Sequence, residues 1–111
     1  MKVEQQQVGT VDVLTPVGAL ADADGERFCK LLLERLSSPS PRVVVAMRDV
    51  PYMDSAALEG LLTASDGLAE RAATLKLVGV TPTCREILDL IGHAWRFSYF
   101  KDVQDAVKSF L

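Results

Sequence analysis

Val43-Val44-Val45-Ala46-Met47 is an unbroken apolar run with three β-branched residues in succession. A strand of that kind has no polar side to turn toward water. It must be covered on both faces, as a strand is in a parallel sheet packed between helices. Leu75, Leu77, Val78 and Val80 mark a second buried strand. Between the two, Ser55 to Ala72 carries the strongest helical periodicity in the chain. Leu58, Leu61, Leu62, Ser65, Leu68, Ala69 and Ala72 share one stripe, and Glu59, Thr63, Asp66 and Glu70 fill the polar side. Strand, helix and strand in that order make a right-handed crossover joining parallel neighbours.

The flanking segments extend the pattern. Residues 3–8 and 11–17 read as strands joined by Gly9-Thr10, and in the second Val11, Val13, Thr15 and Val17 alternate with Asp12, Leu14 and Pro16. Pro16 cannot donate to a ladder and belongs at an edge or a bulge. Residues 22–36 are helical, with Phe28, Cys29, Leu32 and Leu36 inward and Asp22 or Asp24 as N-cap. Ser37-Ser38-Pro39-Ser40-Pro41 ends that helix. Thr81-Pro82-Thr83-Cys84-Arg85-Glu86 opens the next, where proline suits the first turn and Thr83 with Glu86 fits a capping box. Its inward residues are Ile87, Leu88 and Ile91, and Gly92 stops it. Phe97-Ser98-Tyr99 forms a short last strand, and Asp102 caps a final helix with Val103, Ala106, Val107 and Phe110 on its apolar side. The expected architecture is α/β: a mixed, mostly parallel sheet of four to five strands with four helices, in the order β-β-α-β-α-β-α-β-α.

With 111 residues the chain suits one domain spanning 1–111. A net charge of -3, from 12 basic and 15 acidic residues, argues against nucleic acid or an anionic membrane as partner, since both need a concentrated basic surface. No apolar run reaches the roughly 18–20 residues of a membrane span, and no signal-peptide core follows Met1-Lys2-Val3. The expectation is a soluble cytoplasmic domain without direct membrane insertion.

No catalytic constellation emerges. His93 is the one histidine and sits in a turn without a partner pattern, which reads as structural. Cys29 and Cys84 are not in a CxxC arrangement and fall on inward helix faces, as small core hydrophobes do. No glycine loop of the phosphate-cradling kinds occurs, and no metal or cofactor is expected. Trp95, Phe97, Tyr99 and Phe100 read as an aromatic cluster packing the last strand. The stretch Asp49 to Leu58 stands apart, because it follows the most buried strand and opens the longest helix. Loops past the carboxyl ends of parallel strands are where ligands and partners dock. Asp54 or Ser55 caps the helix on the simplest reading, and free N–H groups at its start would also tolerate a phosphate on Ser55.

Tyr52-Met53-Asp54-Ser55 before Leu58, after a valine-rich strand, resembles the signature of the STAS domain family, the anti-sigma factor antagonists. The likeness continues in Val17-Gly18-Ala19-Leu20, which is similar to the family's Gly-Glu-Leu-Asp segment, and in the strand Leu75 to Val80 before Thr81-Pro82. In that family the serine after the aspartate is phosphorylated by a partner kinase that is also an anti-sigma factor. The resemblance therefore implies phosphorylation at Ser55 and partner contacts through Asp54, Ser55, Ala56, Leu58, Glu59 and Asp22. It implies a GHKL-type serine kinase, itself an anti-sigma factor, as partner, and a non-catalytic role. Where switch members carry Ser or Thr and then Gly-Leu-Gly, this chain has Ala56, Ala57, Leu58 and Glu59, and Ala21 replaces the acid of the earlier segment. These departures suit a second reading, a constitutive accessory subunit of a membrane transporter (bound to its ATPase subunit) or a signalling scaffold. A two-component receiver is disfavoured because Val17-Gly18-Ala19 stands where receivers carry paired acids.

Overall fold

The computed structural model describes residues 1–111. Ten elements follow one another: β1 (Lys2–Val8), β2 (Val11–Val17), α1 (Asp22–Leu36), β3 (Val43–Ala46), α2 (Ser55–Ala69), β4 (Leu75–Val78), α3 (Pro82–Leu90), a single 3₁₀ turn (Ala94–Arg96), β5 (Phe97–Phe100) and α4 (Val103–Lys108). The five strands lie in the order β1-β2-β3-β4-β5. β1 and β2 are antiparallel, and every other pair is parallel. The mixed sheet and four helices are those expected from the sequence.

Alternation along β3 divides the core. Val43, Val45 and Met47 face α1, α2 and α3, where they meet Phe28, Leu32, Leu61, Leu88 and the inward residues of β4 in the larger cluster. Val44 and Ala46 face the other way and join Val11, Val13, Val78 and Ala106 beneath α4. All four β3 residues are buried, as a strand sandwiched between helices must be. Asp12 and Gly18 donate toward Arg42 and Asp49, so even-numbered N–H positions of β2 face β3. Pro16 lies at neither an edge strand nor a bulge, since β2 is flanked by β1 and β3 and Pro16 pairs in register with Val3. The β2–β3 pairing stops at Leu14 and Val45, so its missing donor falls beyond that ladder.

Several local expectations are corrected. Neither Asp22 nor Asp24 caps α1: the N-cap position is Ala21, whose side chain cannot cap, and Asp22 lies inside the helix with φ +52°. Thr81, not Thr83, caps α3, its hydroxyl accepting from the Cys84 N–H at 3.4 Å with Pro82 in the first turn. α2 ends at Ala69; Ala69 and Ala72 are exposed, and Ala64 is buried in the stripe instead. Trp95 does not join an aromatic cluster. It is 75% exposed, its indole N–H bonded to the Gly92 carbonyl at 3.0 Å, whereas Phe97 is buried. Ile91 is likewise exposed. His93 is tied locally, its Nδ1 accepting from Arg96 Nε at 2.9 Å.

Candidate functional site

The loops after β2 and β3 emerge side by side at the carboxyl rim of the sheet. Leu20 and Met53 form a parallel bridge, with Leu20 donating to the Tyr52 carbonyl at 3.0 Å and Asp54 donating to the Leu20 carbonyl at 2.9 Å. Asp54 then closes the junction through its side chain. One carboxylate oxygen accepts the Ala57 N–H of its own helix at 2.9 Å, and the other accepts the Asp22 N–H at the start of α1 at 2.8 Å. A single acid thus serves two helix N-termini and satisfies the donor that α1, lacking a side-chain cap, would leave open. The Ala57 and Asp22 N–H bonds, in that order, hold the Asp54 carboxyl below the usual carboxylate range.

Beneath this junction α1 and α2 touch through small residues. Gly25 faces Ala57, and Gly60 faces Cys29 so closely that a Cβ on Gly60 would fall 2.3 Å from the Cys29 sulfur. Glycine is the residue such an approach requires. The Cys29 thiol lies 3.6 Å from the Ala57 carbonyl, in hydrogen-bonding range for sulfur. Burial first, then the charge of Asp54, pushes this thiol's pKa up.

The residues singled out from the sequence separate into two sets. Ser55, Ala56, Glu59 and Asp22 are exposed and Asp54 is half-buried, and all of these stand at the junction of the two helix starts. Leu58 is only 8% exposed and belongs to the core cluster, so its side chain is not offered to a partner. Helical period turns Leu58 inward while Ser55 and Glu59, four apart, share the outer face. Tyr52, half exposed in the loop just before Asp54, adds a large aromatic surface that sequence reasoning passed over. Its signal was an aromatic residue in a loop between a buried strand and a helix. The Asp54–Asp22 bond carried no local signal, because its partners are 32 residues apart.

Ser55 occupies the first position of α2. Because Asp54 takes the Ala57 N–H and also draws on that of Ala56, the donor left at this helix start is the Ser55 N–H. No group of three or more His, Cys, Asp or Glu side chains is arranged to hold a metal ion. No helix is long and apolar enough to cross a membrane.

Fold and site define an α/β domain with a mixed sheet, whose exposed serine stands at a helix start on the carboxyl rim. The chain belongs to the STAS domain family, whose sequence model matches residues 2–106. Among solved structures it is similar to the Thermotoga maritima protein TM1081, described as a candidate anti-sigma factor antagonist, at 18% identity and TM-score 0.84, covering 96% of this chain and 92% of that one. The Bacillus cell fate determinant SpoIIAA in its phosphorylated form matches at 15% identity and TM-score 0.76, over 99% of this chain and 100% of that one. The murine anion transporter Slc26a9 matches at 19% identity and TM-score 0.74; the match covers 94% of this chain and 18% of the transporter. At such identities these likenesses establish the fold. A search of curated protein sequences returns no match.

Proposed function

We propose that residues 1–111 act as a single, non-catalytic, cytoplasmic STAS domain, an anti-sigma factor antagonist switched by phosphorylation of Ser55. The observation that carries this reading is the exposed Ser55 hydroxyl at the first position of α2, beside a carboxylate that locks two loops into one surface. Unmodified, Asp22, Asp54, Ser55, Ala56 and Glu59, with Tyr52 beside them, bind an anti-sigma factor that is also a GHKL-type serine kinase, and so free a sigma factor. Phosphorylation adds roughly -1.5 to -2 charges between Asp54 and Glu59. Crowding three acidic groups into one contact weakens the complex by about 10- to 1,000-fold, at about 1.4 kcal/mol per tenfold. The domain stays folded, because the phosphate lies at the positive end of α2 next to the unused Ser55 N–H. The test is incubation with the cognate kinase and ATP, followed by mapping of the phosphate by mass spectrometry. Label on Ser55, and a complex retained by Ser55→Ala but lost by Ser55→Glu, supports the switch; phosphate on another residue, or none, removes Ser55 from the role.

The likeness to part of an anion transporter supports a second reading, a constitutive accessory domain of a membrane transporter. Glu59, bulky and charged where switch members carry glycine, suits it. Purification of the tagged protein with a transporter ATPase subunit, unaffected by Ser55→Glu, would favour this reading over the switch.

A further inference from the structure

One strand along from Ser55, the rim holds a feature that the switch does not use. Gly79, Val80, Arg85, Tyr99, Phe100 and Lys101 line a groove of about 380 Å³ where β4 and β5 end. That volume suits a small ligand, and the carboxyl rim of parallel strands is where such ligands sit. Arg85 reaches across the groove with its guanidinium 4.2 Å from the centre of the Tyr99 ring. The Tyr99 hydroxyl is itself anchored, donating to the Ala94 carbonyl at 2.6 Å. Arg85 bonds Asp89 through Nε at 3.3 Å, which leaves both terminal nitrogens without a protein partner.

A surface arginine ordinarily loses rotamer freedom when it is fixed by a ligand. This one is already held from two sides, with its bidentate edge open. Across the groove Lys101 makes no ion pair. Its chain neighbour Asp102 is turned away to cap α4, accepting the Asp105 N–H at 2.8 Å. On a protein of net charge -3, two cations thus share a concave site with one acid committed to them. Val80, Tyr99 and Phe100 supply apolar walls beside the charges.

We propose that this groove binds a small molecule carrying a phosphate or carboxylate group, with the Arg85 fork taking two oxygens, Lys101 the third contact, and an apolar body against Val80 and Phe100. The proposal is independent of Ser55 and of its modification. Phenyl phosphate and benzoate, titrated separately into the ¹⁵N-labelled protein, test it and separate the two headgroups. Saturable amide shifts confined to Gly79, Val80, Phe100 and Lys101 are expected, with a dissociation constant on the order of millimolar for at least one probe. Arg85→Lys, which keeps the charge and loses the fork, weakens binding about tenfold. Lys101→Gln weakens it several-fold and guards against an Arg85 variant that fails to fold. Shifts that never saturate, that scatter over the surface, or that are unchanged in both variants overturn the site.

Discussion

The contact between Gly60 and Cys29 offers a quantitative check on how α1 and α2 are held. In Gly60→Ala the new methyl would lie 2.3 Å from the Cys29 sulfur and 2.8 Å from its Cβ, both closer than real side chains come. The sulfur can rotate away. The Cβ cannot, so the helices must part by roughly half an ångström against a close-packed interior. Overpacking of this kind costs about 1–3 kcal/mol. Alanine in a helix recovers about 1 kcal/mol relative to glycine. The expected net loss is about 0–2 kcal/mol, out of a total that for a domain of this size is on the order of 5–15 kcal/mol. In melting temperature that is a fall of up to about 10 °C. Urea unfolding followed by far-ultraviolet circular dichroism measures it; fluorescence is the poorer probe, because the one tryptophan is exposed in the native state. Adding Cys29→Ala removes the sulfur clash but not the Cβ clash, so the double variant should recover part of the loss, with a coupling of at least about 0.5 kcal/mol. The parting should also loosen the Asp22–Asp54 bond above it, seen as faster exchange of the Asp22 amide. A Gly60→Ala protein as stable as the parent, or more so, with no coupling to Cys29, would refute the close seam.

Further expectations concern the rest of the molecule. Asp54 has its pKa lowered in the fold, so its contribution is complete above the unfolded-state value near 4 and is lost as pH falls through the lower native value. Acid titrations of stability should therefore flatten below about pH 4 in Asp54→Asn relative to the parent, and an unchanged slope would discount its two N–H bonds. Burial pushes the Cys84 thiol up, and its sulfur lies 3.5 Å from the Val50 carbonyl. Alkylation at pH 8 should accordingly be much slower in the native protein than in urea, and slower at Cys84 than at half-buried Cys29. Phe28, with no exposed surface, should cost about 3–5 kcal/mol on truncation to alanine, whereas the exposed Trp95 should cost no more than about 0.5 kcal/mol; equal losses in denaturant melts would contradict the burial described.

The sheet and its helices were legible because they follow from periodicity. Val43 to Ala46 could be read as doubly covered from composition alone, and the structure buries all four. Ser55 was legible as a helix start because one residue beside a cap is a local event. The errors share a cause: each involves a choice that a neighbouring segment makes. Thr81 and Thr83 both suit a cap by type, but the Thr81 hydroxyl also donates to the Val50 carbonyl at 2.9 Å, a contact 31 residues away. Asp22 was a reasonable cap for α1 until Asp54 took up its N–H. Trp95 reads from its neighbours Phe97, Tyr99 and Phe100 as part of an aromatic cluster packing the last strand, yet the 3₁₀ turn before β5 swings it outward. Nothing along the chain announces that Arg85 and Lys101 will share a groove, since their elements meet only after the sheet has formed.

The sheet is unequally clothed. Three helices shelter one side; the other rests beneath the six-residue α4, where Ala106 alone of that helix is fully buried. Detaching so short a cover breaks few contacts, yet it lays bare the valines of three adjacent strands together. The cheapest fluctuation of this fold is therefore also the stickiest, and the risk of self-association resides on the side of the molecule turned away from Ser55.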